Sequence, residues 1–355
     1  MERRKSKQIL CGRIKIGGDA PITVQTMLNF PPQKVEENVR AAQRMEQAGC
    51  DILRIAVPDE AGVALVRALK EAVRMPIVAD IHFDYRLAIA AVEAGCDKVR
   101  INPGNIGGED RVRQVAECCR SHGVPIRIGV NGGSLQKDIL QKYGAPTAAA
   151  LCESALRHAA LLEQFDFTDI VLSLKSSDVP TMLEAYRMIA KRCDYPLHLG
   201  VTETGTEAQG IVKSAVGIGA LLADGIGDTI RVSLTADPAR EVEAGLRILR
   251  ALNLRRDGIN LISCPTCGRT KSDLIGLVQQ AERRLAQEGL QSLPLTVAIM
   301  GCAVNGPGEA READVGLACG ESAGVLFRRG EKLRSVPMDH ALDALLEEIR
   351  KLKED

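Results

Sequence analysis

The chain has 355 residues with 46 Lys+Arg against 46 Asp+Glu, so its formal net charge is zero and no general affinity for nucleic acid or anionic membranes follows. Trp is absent and aromatics make up 3%, which leaves few platforms for stacking bases, while the 45% apolar content is mostly aliphatic. No apolar run approaches the ~20 residues that span a bilayer, and the basic start has no apolar segment behind it, so neither a membrane nor a secreted protein is expected.

This length suits two domains. From residue 20 to 252, β-rich runs alternate with segments whose apolar residues recur at i, i+3, i+4. Strands are predicted at 22–27, 52–57, 77–80, 98–101, 126–130, 170–174, 197–201 and 229–232. The clearest helices are predicted at 35–47, 60–73, 84–94 and 239–252. Gly49, Gly95 and Gly123 each stand where a helix must stop before the next strand. Eight strands alternating with helices is the count of an α/β fold of the (β/α)8 TIM-barrel type, with an eight-stranded doubly wound sheet as the alternative. Residues 1–252 are read as the barrel, 253–263 as a polar linker and 264–355 as a smaller α+β domain. That domain is predicted to have helices at 272–287 and 339–353, with strands near 295–300, 315–318, 324–327 and 333–336.

Four predicted barrel strands carry an arginine between aliphatic residues: Arg54, Arg100, Arg127 and Arg231. Both faces of a barrel strand are poor in water, and an unpaired buried charge costs several kcal/mol. Asp80 and Glu203 are the obvious acids nearby, too few to neutralise all four. Asn29, His82, Asn102, Asn131, Lys175, Glu203 and Ser233 fall at or just past strand ends, where barrel enzymes place their active sites. The loops Asn102-Pro103-Gly104-Asn105-Ile106-Gly107-Gly108 and Asn131-Gly132-Gly133-Ser134 allow backbone N–H groups to approach phosphate oxygens. A small phosphate or diphosphate ester is the expected ligand. The alternative is that the arginines only tie strands together at the barrel floor. His82 and His198 are singletons, for which a satisfied core histidine is the default.

Eleven cysteines is an odd number, and eight of them (Cys11, Cys50, Cys96, Cys118, Cys119, Cys152, Cys193 and Cys319) lack a surrounding motif, which points to a reducing compartment such as the cytoplasm. The other three lie in Cys264-Pro265-Thr266-Cys267 and in Gly301-Cys302-Ala303-Val304-Asn305-Gly306-Pro307-Gly308-Glu309. Three thiolates and a carboxylate suit an iron–sulfur cluster whose last iron has a weaker oxygen donor, a position that a substrate could take. Zinc and unliganded thiols are the other readings. Cys319 as a fourth thiolate would make a closed site.

Several long segments now resemble one family: Val78-Ala79-Asp80-Ile81-His82-Phe83-Asp84, Arg100-Ile101-Asn102-Pro103-Gly104-Asn105-Ile106-Gly107, Ile126-Arg127-Ile128-Gly129-Val130-Asn131, Gly225-Ile226-Gly227-Asp228-Thr229 and both cysteine motifs. From about Gly17 to Asp314 the chain resembles the bacterial 4-hydroxy-3-methylbut-2-enyl diphosphate synthases of the methylerythritol phosphate route to isoprenoids. The resemblance implies a TIM barrel joined to a [4Fe-4S] domain, with Cys264, Cys267, Cys302 and Glu309 as cluster ligands. It implies 2-C-methyl-D-erythritol 2,4-cyclodiphosphate as substrate, held by Arg54, Arg100, Arg127, Asn131, Lys175 and Ser233. Arg231, His82 and Asn102 complete the substrate-binding set expected from strand ends. Glu203 matches an acid near the reacting carbons, and Asn305 a residue that reaches the substrate from the cluster side. The chain departs at its first strand end, where the family's Ser-Met-Thr-Asn-Thr is replaced by Thr26-Met27-Leu28-Asn29-Phe30.

The implied reaction is a two-electron reductive ring opening and dehydroxylation, with Glu203 and Glu309 as catalytic carboxylates. A flavodoxin or ferredoxin is the implied electron donor and a homodimer the implied assembly. The rival reading is a non-redox barrel transferase acting on a diphosphate, with zinc in the small domain.

Overall fold

A computed structural model describes the chain except for residues 1, 271, 303–307, 309 and 355. It divides into two compact units, Met1–Arg255 and Arg256–Asp355. Among the described residues no helix is long and apolar enough to cross a membrane.

The first unit opens with a short antiparallel hairpin, β1 (Ile9–Cys11) and β2 (Ile14–Ile16). The barrel strands follow: β3 (Thr23–Met27), β4 (Ile52–Ala56), β5 (Ile77–Asp80), β6 (Lys98–Ile101), β7 (Ile126–Asn131), β8 (Ile170–Lys175), β9 (His198–Leu199) and β10 (Thr229–Ile230). Between and after them run α1 (Val35–Gln47), α2 (Glu60–Ala72), α3 (Tyr85–Glu93), α4 (Pro103–Ile106), α5 (Glu109–His122), α6 (Lys137–Tyr143), α7 (Ala148–Glu163), α8 (Val179–Ala190), α9 (Glu207–Ala223) and α10 (Pro238–Ala251). The sheet is parallel in the order β8-β7-β6-β5-β4-β3-β10-β9. A bridge from Leu172 to Leu197 joins its two ends and closes the ring. The barrel expected from the alternation is therefore the fold, and the doubly wound alternative is not.

Local chemistry explains the helix starts. Asp59, Asp178 and Asp237 each accept a backbone N–H in the first turn of α2, α8 and α10. Outward strand residues such as Leu53, Ile55, Val99, Ile101, Ile126 and Ile128 pack under these helices in one continuous core. At the β8–β9 seam the regular ladder is thin, and Tyr186 of α8 fills it. Its fully buried hydroxyl accepts the Leu174 N–H at 3.0 Å and donates to the His198 carbonyl.

Inward side chains of alternate strands share a level, as barrel closure requires. From the strand register, Gln25, Val78, Arg127 and His198 form a middle level. Arg54, Arg100, Ser173 and Arg231 lie one level toward the carboxyl ends of the strands, and Ile52, Lys98, Val171 and Thr229 one level toward the amino ends. Beneath the lowest level, Ile9, Cys11 and Ile16 of the hairpin pack against Ile52, Val78 and Val171 and floor the barrel. The leading segment ties this floor down: Arg3 and Ser6 reach Asp228 Oδ1 at 3.2 and 2.8 Å, and Arg4 binds the Ala190 carbonyl at 3.1 Å.

The second unit is a five-stranded sheet in the order β11 (Asn260–Ser263), β12 (Thr296–Met300), β13 (Val315–Ala318), β14 (Ala323–Arg328), β15 (Glu331–Pro337), parallel as far as β13 and antiparallel beyond. Helices α11 (Leu274–Gln287) and α12 (Ala341–Glu354) share a core with Val297, Ile299, Val315 and Leu317. Strand β11 occupies the last residues of the stretch read as linker, pairing its backbone with β12.

Candidate active site

The strand arginines do converge. Asp80, 1% exposed, sits between two of them: Arg54 Nη2 donates to Oδ2 at 2.5 Å and Arg100 Nη1 to Oδ1 at 3.2 Å. His82 Nε2 lies 3.3 Å from the same carboxylate and is half-exposed at the rim. Burial alone would raise the Asp80 pKa, but Arg54, Arg100 and His82 together hold it well below the usual carboxylate range. Gly129 makes room for this pair, since a Cβ there would stand 2.4 Å from Arg100 Nε.

Arg127 crosses the barrel, donating from Nη1 to Gln25 Oε1 at 3.4 Å. Burial first, then Arg54 and Arg100, pull its pKa well below normal. Lys175, at the end of β8, is buried and depressed by burial and by Arg54, Arg231 and Arg127. Arg231 is answered by Glu241 of α10, 3.4 Å from its Nε. Glu241 is itself buried and also accepts from Thr26 Oγ1 at 2.8 Å and from the Leu234 N–H at 3.0 Å. One helix carboxylate thus joins β3, Arg231 and the loop after Ser233.

Two further strand-end residues differ in how they are used. Asn102 is buried, and its amide is engaged within its own loops: Nδ2 donates to Ser134 Oγ at 3.0 Å and Oδ1 accepts the Gly104 N–H at 3.1 Å. Asn131 is half-buried, with Oδ1 unpartnered among the described residues. Ser233 is half-buried and its carbonyl accepts from the Thr204 hydroxyl. Glu203 is exposed and has φ of 54°, a left-handed conformation uncommon for a side chain of this kind. Leu28, at the departure from the family pattern, is buried in the core, and Phe30 is exposed.

Three contributors were not singled out from sequence. Lys98 is fully buried and pushed down to about 8 by burial, reinforced by Arg127 and Arg54. Gln25 faces it from a neighbouring level, and Glu241 lies on a helix. Lys98 alone had a usable signal, a lysine two residues before Arg100 and so on the same strand face. His198, taken as a core histidine, is fully buried, with Nδ1 3.3 Å from Thr229 Oγ1.

In the second unit, Cys264 Sγ accepts the Gly301 N–H at 3.2 Å, which brings the residue before Cys302 onto the first motif. Thr270 Oγ1 accepts the Cys267 N–H at 3.2 Å and would stand 3.0 Å from a Cβ at Gly301, a tight contact that glycine avoids. Cys267 is exposed, while Cys264 and Cys302 are half-buried. Asn305 and Glu309 lie outside the described residues. Among the described residues no three His, Cys, Asp or Glu side chains close on a point that a metal ion could take. The donor chemistry nevertheless fits a thiolate-held group: soft sulfur ligands, one of them receiving a backbone N–H, in loops held close by Thr270 and Gly301. Cys319 is buried in the apolar core, and burial raises its thiol pKa.

Residues 6–246 match the family described as the GcpE TIM-barrel domain, and residues 260–351 the one described as the GcpE protein C-terminal domain. The chain is 53% identical over 350 residues to the protein of Caldanaerobacter subterraneus subsp. tengcongensis named 4-hydroxy-3-methylbut-2-en-1-yl diphosphate synthase (flavodoxin), covering 99% of this chain and 98% of that one. The protein of the same name from Geobacter sulfurreducens is also 53% identical over 350 residues, with the same coverage. Among solved structures, dihydropteroate synthase from Xanthomonas albilineans aligns with 70% of this chain and 99% of its own, at a TM-score of 0.51 and 18% identity. That likeness speaks for the barrel fold alone.

Proposed function

The chain belongs to the GcpE family, and from that premise we propose that it opens the ring of 2-C-methyl-D-erythritol 2,4-cyclodiphosphate and removes one hydroxyl, giving 4-hydroxy-3-methylbut-2-enyl diphosphate. It is an iron–sulfur oxidoreductase. A reduced flavodoxin, the donor named for its relatives, supplies the electrons, and the working assembly is a homodimer. In balance, the substrate takes up two electrons and one proton, a ring C–O bond and a C–OH bond break, a C=C bond forms, and one water leaves.

The observation that carries this reading is the charge of the barrel. Arg54, Lys98, Arg100, Arg127, Lys175 and Arg231 face inward or upward against the two carboxylates Asp80 and Glu241. Such a mouth suits a compact polyanion far better than a neutral ligand. Arg54, Arg100, Arg127 and Lys175 hold the diphosphate, with Asn131, Ser233 and Arg231 lining the pocket and His82 and Asn102 at its rim. Because these groups stand on strands, they need little reorganisation as charge moves onto the leaving phosphate oxygen. Glu203 holds the departing hydroxyl and gives it a proton.

Cys264, Cys267, Cys302 and Glu309 are the residues that would hold a [4Fe-4S] cluster, and Asn305 is assigned to substrate binding from the family motif alone. Once bound, that group supplies single electrons and a Lewis-acidic iron to the C–O bond.

The test is anaerobic iron and acid-labile sulfide analysis, followed by turnover of the cyclodiphosphate with reduced flavodoxin. About four iron and four sulfide per chain, with product formed, is the expected result. One zinc per chain, no labile sulfide and no turnover would overturn it in favour of the transferase.

A further inference from the structure

Directly beneath Arg54, Arg100 and Arg231 lies a second concentration of donors, to which Arg127 also belongs. On the middle level and the one below it, Lys98 Nζ, Arg127 Nε and Nη2, Gln25 Nε2 and His198 Nε2 are all buried without a hydrogen-bond partner among the described residues. Lys98, Gln25 and His198 are 0% exposed and Arg127 1%. They come from β6, β7, β3 and β9, so they point inward from around the ring. His198 Nδ1 lies 3.3 Å from Thr229 Oγ1, and in the tautomer in which that hydroxyl donates, the imidazole presents Nε2–H inward as well.

The protein offers this level almost no acceptor. Gln25 Oε1 takes one N–H of Arg127. Asp80 stands two levels higher by the register and already serves Arg54 and Arg100. Below are Ile52, Val171 and the hairpin residues Ile9, Cys11 and Ile16. The hydroxyls of Thr23, Ser173 and Thr229 and the Cys11 thiol can accept a hydrogen bond here but bring no counter-charge, and a buried ammonium and guanidinium are strongly unfavourable without one. Arg127 is shared with the diphosphate assigned to the mouth, but Lys98 lies a level below Arg127 and two below Arg54, Arg100 and Arg231, so a diphosphate there leaves Lys98 uncompensated. Adjacent levels are only ~3 Å apart along the strands, which suits a monatomic ion and not a phosphate ester.

We propose that the barrel core binds a small inorganic anion of the halide class between Lys98 and Arg127, with Gln25 and His198 as further donors. The site lies beneath the substrate pocket, shares Arg127 with it, and does not depend on the reaction assigned to that pocket. It neutralises the floor of the cationic cavity whether or not substrate is present.

The whole protein is tested in two ways. Wild-type crystals are soaked in sodium bromide and the anomalous signal is mapped. Thermal unfolding is followed in chloride and in gluconate at equal ionic strength, for wild type and for Lys98→Met, which keeps side-chain length while removing the charge. The expected result is bromide within hydrogen-bond reach of Lys98 Nζ, and a chloride-specific stabilisation of wild type that Lys98→Met lacks. A halide at ten times its dissociation constant multiplies the folding equilibrium constant by about 11. Bromide confined to the protein surface, with water alone at Lys98, overturns the proposal. Chloride stabilisation undiminished in Lys98→Met also overturns it. The crystallographic arm stands on wild type alone should the variant fail to fold.

Discussion

Arg54 and Arg100 stand on strands that are not neighbours, yet they grip opposite oxygens of one carboxylate, Asp80, on the strand between them. The pair is thereby held in place, with Arg100 Nη2 also donating to the Gly129 carbonyl at 3.3 Å and the Arg54 Nε–H left for a ligand. Asp80 is accordingly both a structural and an orienting residue. Replacing it by Asn leaves two buried guanidiniums facing a neutral amide. Loss of one partner from a buried ion pair costs ~3–5 kcal/mol, so the urea midpoint of Asp80→Asn drops sharply at pH 7. The sign of the pH effect follows from the depressed pKa. Stability from the ionised carboxylate is full above the unfolded pKa of about 3.9 and is lost as pH falls below it. Wild type therefore loses stability there, and Asp80→Asn loses less over the same interval. Equal acid slopes in urea titrations of the two proteins would remove Asp80 from this role.

Glu203 holds a left-handed backbone with a side chain that gains nothing local from it. Such a conformation costs of order 1 kcal/mol and is expected where a reactive group must be aimed. Glu203→Gln keeps the melting temperature and lowers kcat by about 10²–10⁴ if proton transfer is its task. Glu203→Gly relaxes the backbone, so it melts no earlier than wild type while losing the same activity. Calorimetry beside steady-state kinetics separates the two effects, and a Glu203→Gln enzyme with wild-type kcat would exclude the carboxylate from catalysis.

Glu241 offers a cleaner coupling experiment because its partners come from three segments. Glu241→Ala strands Arg231 without its counter-charge and unties the loop after Ser233, so KM for the diphosphate substrate rises and stability falls by ~3 kcal/mol. In Arg231→Met the further cost of Glu241→Ala is smaller, since the arginine is no longer left unpaired. A double-mutant cycle on urea midpoints measures this, and strictly additive losses would mean that the two residues act apart.

The cysteines divide by environment. Cys264→Ser is expected to reduce anaerobically measured iron and sulfide to near background, because its sulfur is one of the three thiolates that the motif offers. Cys319→Ala removes a thiol packed in the core of the second unit, costs ~1 kcal/mol of stability and leaves the iron content unchanged. Iron lost from Cys319→Ala but kept in Cys264→Ser would reverse the ligand assignment.

What could be read from sequence followed from periodicity and burial. The strand arginines were legible because an isolated cation between Ile and Val residues is anomalous in any buried strand. The helix limits at 35–47 were legible from apolar spacing alone. The hairpin was not, since two three-residue strands carry no measurable alternation. Nor was Glu241: an acid in the first turn of a helix ordinarily faces water, and only the packing of α10 over β3 and β10 turns it inward. The short strands β9 and β10 were predicted longer than they are; at β9 part of the backbone pairing with β8 is supplied by the Tyr186 hydroxyl from α8. The cluster motif was visible as chemistry; of its residues Cys264, Cys267 and Cys302 are described, and Asn305 and Glu309 lie outside the described residues.

The floor of the barrel has a consequence for how the molecule is made. Ser6 and its partner Asp228 are separated by 222 positions. On the ribosome the leading segment and hairpin emerge before any barrel strand, yet their anchor is synthesised among the last parts of the barrel. Until then the ring of arginines and lysines can be hydrated from below, which spares the growing chain the cost of burying charge before the ring closes. Sealing the amino end of the barrel is thus a late act of biogenesis, performed by a stretch made before any barrel strand.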